Sequence, residues 1–233
     1  MEPLSEADRE AMTVAGWVQV KQALAAGDTA RAEVLLDRAV GQWRRLQDYS
    51  INWITSLLSF IGRELGEDAV EEALRASGEE FVRPRRSDGA DWASLPAAVR
   101  AKAIARAMLA NFGECEVSED EEKITLSFRC GSGGRMIDEG RYDRAGGPYL
   151  TLTEPGPRTF SQPELPVYCA HCSVNNEIQA VEWGGVPTSI EFPSEQPGGR
   201  CVHHVYRDAH AIPPEAYERI GKQPPSTPPT PPS

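Results

Sequence analysis

The chain has 233 residues, with 24 Lys plus Arg against 35 Asp plus Glu, a formal net charge of −11, five Cys and four His. That length can bury a core without disulfides, and the acidic surplus excludes the broad positive surface that nucleic acid or an anionic membrane requires. No apolar run nears the roughly 20 residues that span a bilayer, and the acidic start is unlike a signal peptide, so a cytoplasmic chain with reduced thiols is expected, with no nucleic-acid and no membrane partner.

The first half reads as helical. Ser5 and Asp8 form a capping-box pattern ahead of an apolar stripe, Val14, Trp17, Val18 and Leu24, that stops at Gly27. Asp28 or Thr29 then opens a helix of about eight turns. Its stripe is Leu36, Val40, Trp43, Leu46, Trp53, Leu57, Ile61 and Leu65, at mostly three- and four-residue spacing, and it is expected to face a core. Asp48 and Asn52 interrupt it, as a polar pocket or a solvated face. A shorter helix is expected over residues 68–81 and a loop over 83–91. Ser94 and Pro96 then start a helix that Gly113 stops. Residues 1–113 are therefore expected to form a helical region.

The acidic run over residues 114–122 reads as a solvated connector, because like charges this dense resist packing. Residues 123–130 alternate as a half-buried strand, with Ile124, Leu126, Phe128 and Cys130 on one face. The stretch from Cys130 to Arg135 is glycine-rich. It lacks the Lys-Ser/Thr of a phosphate cradle and reads as a loop. A second strand is expected over residues 149–153. Beyond a proline-rich loop, Cys169-Ala170-His171-Cys172 sits at the start of a helix carrying Val174, Ile178 and Val181 as far as Gly184 and Gly185. Residues 188–192 and 200–206 read as a hairpin, with Cys201, His203 and Val205 sharing a face. Residues 213–233 read as a disordered proline-rich tail. The fold class expected is α+β: an N-terminal helical region (1–113), the connector (114–122), and a Cys-rich domain of helices on a small antiparallel sheet (123–212).

The chemistry concentrates on Cys169-x-x-Cys172 and Cys201-x-His203. Two sulfurs at a turn into a helix and a Cys/His pair on one strand face supply three S and one N, a tetrahedral zinc set. His171 and Cys130 are spare ligands. A second reading is free of metal: thiolates at a helix N-terminus are stabilised, so Cys169 or Cys172 would be a nucleophile, with His171 or His203 as base and Glu177 or Glu182 orienting it. A third is plain packing, since cysteine is commonly buried. Cys115, alone among acidic residues, reads as structural.

One order of features carries a family likeness: the Leu-Gly-Glu-Asp-Ala-Val break at residues 65–70, a strand ending in Cys130, a Cys near a helix start, and a return strand opening Gly-Gly-Arg-Cys-x-His at residues 198–203. Over residues 55–207 the chain resembles the L-2-amino-thiazoline-4-carboxylic acid hydrolase family and is similar to the bacteriochlorophyll 4-vinyl reductase-type ligand-binding domain. The resemblance implies helices against an antiparallel sheet, a pocket between them, and hydrolysis of a small heterocycle or ligand sensing. Cys130, Cys169 and Cys201 match cysteines of that pattern. Cys172 and His203 depart from it, which turns the expectation from hydrolytic chemistry toward metal binding. The reading is then a zinc-binding protein with a small-molecule pocket, with a thiolate enzyme and a non-enzymatic sensor or interaction module, its helical region meeting a protein partner, as alternatives.

Overall fold

The computed structural model describes residues 3, 5–86, 92–194 and 196–225, with backbone only at residues 11, 85, 86 and 93. The chain divides into two compact units, residues 1–50 and 51–233, and the division falls inside a helix.

In the first unit, α1 (Glu6–Thr13) opens on the expected capping box: Ser5 Oγ accepts from Asp8 N–H while Asp8 accepts from Ser5 N–H. It leads to α2 (Gly16–Ala25) and the first part of α3 (Thr29–Leu65). Ala23, Ala32 and Leu35, with Val20 against them, form a small core. The rest of the apolar surface lies outside it. Of the stripe expected to be buried, Leu36, Val40, Trp43, Leu46, Trp53, Leu57 and Leu65 are between 41 % and 70 % exposed. The stripe is real, but the helix buries a different face. In the second unit that face consists of Ile51, Thr55, Leu58, Ser59 and the half-buried Gly62. The two hydroxyls are satisfied within the helix, Thr55 Oγ1 donating to Ile51 O (2.6 Å) and Ser59 Oγ to Thr55 O (2.7 Å). Small residues let neighbours approach closely: a Cβ on Gly62 would lie 2.4 Å from Leu150. Of the two polar interruptions, Asn52 is absorbed into packing, its Oδ1 accepting from Tyr149 OH (2.6 Å) and Arg141 (3.2 Å).

After Gly66 come α4 (Glu67–Ser77), a π-helical segment (Gly78–Val82) and α5 (Arg83–Arg86), so helix continues where a loop was expected; residues 87–91 lie outside the described residues. Helix α6 (Ala97–Ala110) follows. The acidic run is no connector. Residues Glu114–Glu119 form β1, an edge strand paired antiparallel with β2 (Lys123–Arg129). Charged side chains are tolerated there because both faces of the strand are largely exposed, and they discourage further strand pairing. The sheet is antiparallel in the order β1-β2-β6-β5, where β5 is Ile190–Phe192 and β6 is Cys201–Tyr206.

Two periodicities set the faces of this sheet. Ile124, Leu126 and Phe128 lie opposite Val205, His203 and Cys201, and α6 packs Ala97, Ala101 and Ile104 on this face. The opposite face holds Ile190 and Tyr206, covered by Ile212, Ala216 and Tyr217. The last two belong to or flank α9 (Pro214–Glu218), which therefore corrects the expected tail over its first part: buried apolar residues, Ile220 included, give it a core to join. The proline-rich end, residues 226–233, lies outside the described residues.

Between β2 and β5 run α7 (Gly133–Asp138), where a loop was expected, and a two-stranded ribbon of β3 (Thr151–Leu152) and β4 (Leu165–Pro166). Residues Val167–Cys169 are 3₁₀-helical. A π-helical segment (Cys172–Ile178) then continues as α8 (Gln179–Gly184). The main core gathers Leu58, Val70, Met136, Leu152, Val174 and Ile178 from these pieces, an α+β arrangement.

Candidate functional site

One cavity of about 50 Å³ gathers the chemistry. Cys130, Cys169, Cys172 and Cys201 line it together with His171, His203 and Glu191. Each comes from a different local device. Cys130 follows the end of β2, Cys169 ends the 3₁₀ turn, Cys172 begins the π-helical segment, and Cys201 opens β6. All four residues predicted as zinc ligands are therefore brought to one place, as are the spares Cys130 and His171. Cys115 is elsewhere, near the α6 face of the sheet.

Burial pushes the Cys169 and Cys172 thiols well above the usual range, and Cys201 up to about 12. Each is raised further by the negative charge its neighbours would carry: Cys201 and Cys130 act on Cys169; Cys169, Cys201 and Cys130 on Cys172; Cys130 on Cys201. Without a cation Cys169, Cys172 and Cys201 stay protonated near neutral pH. This removes the helix N-terminus as a source of thiolate, since desolvation outweighs any dipole contribution in a buried, π-helical turn.

Both histidines have one nitrogen fixed. His171 Nδ1 lies 2.5 Å from Tyr168 O, and a carbonyl only accepts, so Nδ1 carries hydrogen and Nε2 keeps a lone pair, 3.6 Å from Cys172 Sγ. Ser189 Oγ donates to Glu191 Oε1 (3.1 Å), which leaves it to accept from His203 Nδ1 (3.2 Å). Glu191 Oε1 itself is 3.5 Å from that nitrogen. His203 is thus also a donor at Nδ1 with a lone pair at Nε2, and burial lowers its pKa, holding it neutral. An imidazole whose second nitrogen donates to a carbonyl or carboxylate is the arrangement that orients metal-binding histidines.

The carboxylates proposed to orient a base do otherwise. Glu182 pairs with Arg75 and Lys222. Glu177 is wholly buried, accepting from Glu191 N–H and Arg219, both at 2.5 Å; burial pushes its carboxyl up and Arg219 opposes this. The carboxylate beside His203 is Glu191, which reaches it through Ser189 and which the sequence reading missed. Its signal was in the hairpin register, since Glu191 faces His203 across β5 and β6. Glu191 Oε2 is buried with no protein partner, an unsatisfied polar atom on a residue that lines the cavity.

A second, larger pocket of about 460 Å³ has Ser194 in its wall, whose N–H donates to Cys201 Sγ (3.4 Å). Tyr142, Ile137, Thr151, Gln162 and Pro166 also line it. The Tyr142 hydroxyl is buried without a protein partner.

No family model matches the chain, and no curated protein or solved structure does either. Among the described residues, no group of three or more His, Cys, Asp and Glu is placed so that it could hold a metal ion. Among the described residues, no helix is long and apolar enough to cross a membrane.

Proposed function

We propose that this protein binds a thiophilic metal in the cysteine-lined cavity and presents it beside a pocket for a small organic molecule. The observation that carries the reading is the convergence of four thiols and two imidazoles, each imidazole with Nδ1 already tied, on one small cavity. Sulfur-rich sets select zinc, copper(I) and iron–sulfur species over hard cations. The simplest occupant is one zinc ion on Cys169, Cys172, Cys201 and His203, the set read from sequence. Ligation would replace the thiol protons by a shared cation, relieving the mutual repulsion and giving Glu191 Oε2 a nearby positive charge.

A bound metal with an open position supplies Lewis-acid chemistry, which makes hydrolysis of a small molecule from the larger pocket the activity most compatible with this layout. The metal-free alternative rests on the Cys172 and His171 pair, whose geometry has the order nucleophile, base, orienting carbonyl. Its thiol is held protonated, which favours the metal reading. The test is the metal content of protein purified without added metal or chelator. About one equivalent or more of zinc, copper or iron per chain is expected, given the tight binding of such sites; less than roughly a tenth of an equivalent overturns the proposal.

A further inference from the structure

We infer that the cavity's ligand set is all sulfur, with Cys130 joining Cys169, Cys172 and Cys201, and that the group it is shaped to hold is an iron–sulfur cluster. The inference rests on the metal reading above and names the species at that site.

The first support is the space itself. A single zinc with bonds of about 2.3 Å draws four sulfurs to roughly 3.8 Å from one another, leaving no void among them. Here the four cysteines, with Gly133, Gly134, Tyr168 and the two histidines among their neighbours, line a cavity of about 50 Å³, several times the roughly 10–15 Å³ that one water needs. Four cysteines lining a space of that size suit a core that contains its own iron and sulfide atoms.

The second support is how the walls are cut. Gly133 and Gly134 border the cavity, and a Cβ on Gly133 would lie 3.2 Å from Cys169 Sγ and 3.0 Å from Tyr168. On Gly134 it would lie 3.0 Å from the Cβ of Cys130. Side chains at either position would press on two of the four cysteines, so the glycine pair keeps Cys130 and Cys169 clear. It also gives the Gly-rich stretch after β2 a purpose that a phosphate cradle does not.

The third is the polar surround of the sulfurs. Ser194 N–H donates to Cys201 Sγ (3.4 Å) and Ser132 Oγ meets Cys130 Sγ (3.1 Å). Hydrogen bonds to ligating sulfurs and shielding from solvent are the levers by which a protein sets the potential of such a cluster. His203 then stands as a neutral neighbour, with its ring edge-on to Phe128.

The zinc set and the cluster set differ by one residue, His203 against Cys130, so a pair of variants separates them. The full chain is produced in iron-supplemented cells and purified anaerobically, and iron, acid-labile sulfide and zinc are measured. The expected result is iron and sulfide in equal amounts, at least about two of each per chain, with a broad visible absorption band. Cys130→Ser is expected to lose at least half of the iron and the band, and His203→Gln to keep them. About one zinc per chain, without sulfide, overturns the cluster while upholding the metal site. A chain with neither zinc, copper nor iron overturns both. The iron-to-sulfide ratio of the unsubstituted protein decides the question even where a variant fails to fold.

Discussion

Residues 1–50 and 51–233 handle apolar side chains in opposite ways. The first unit buries three small or medium residues, Ala23, Ala32 and Leu35, and leaves Trp17, Leu24, Val34 and Trp43 more than half exposed. The second buries Phe128, Leu126, Met136, Leu152 and Tyr217 almost completely. It also buries polar groups that need exact partners, notably Glu177, Glu191 and His203. Stability by burial, at roughly 25 cal/mol per Å² of apolar surface, is therefore concentrated in the second unit, where the cysteine cavity lies. A site that must hold sulfurs at fixed positions gains from being walled by such a core.

The largest effect expected is at Phe128. It sits on the α6 face of the sheet and supports His203 edge-on, with ring centroids 4.9 Å apart. Phe128→Ala should cost about 4 kcal/mol in chemical denaturation, the usual range for deleting a buried aromatic ring. A cost below about 1 kcal/mol would mean that the second unit is packed no better than the first. Next is Arg219, which donates to both Glu177 Oε1 and Glu191 O and stacks on Phe160 and Phe192. Arg219→Ala strands a buried carboxylate and should cost about 3 kcal/mol. Equal stability of the variant would show that Glu177 is protonated and needs no cation. Substitutions of exposed charged residues on β1 give the reference level, expected within about 0.5 kcal/mol.

What was legible in the sequence follows from which forces are local. The strand of Ile124, Leu126 and Phe128 was visible because a two-residue period needs no tertiary information. The same period put Cys201 and His203 on one face, and the CxxC spacing put Cys169 and Cys172 together, so these four residues of the cavity wall could be read. Glu191 was missed because its role depends on the register of β5 against β6, a long-range pairing. β1 was missed because an edge strand at a sheet margin can carry Glu114, Glu116 and Glu119 at little cost, whereas charge density argues for a connector. The first part of the expected tail was misjudged for a similar reason: Ala216, Tyr217 and Ile220 make a short apolar set among prolines, and only the sheet face that Ala216 and Tyr217 cover and the main core that Ile220 joins give them a structural role.

The α3 stripe shows the sharpest failure of periodicity. A three- and four-residue repeat reports that a helix has an apolar face, and the face it buries depends on what packs against it. Two adjacent residues of α3 within the first unit separate the alternatives. Leu35 is buried against Ala23 and Ala32, while Leu36 is 53 % exposed. Leu35→Ala should destabilise by about 2 kcal/mol, at the low end for a buried leucine because its core is small. Leu36→Ala should change stability by less than about 0.5 kcal/mol, since alanine also favours the helix. A cost at Leu36 equal to that at Leu35 would mean that the stripe is covered in solution, which a concentration-dependent sedimentation profile of the same two variants would reveal. The difference between these neighbours, more than either value alone, measures how far the first unit turns its apolar surface outward.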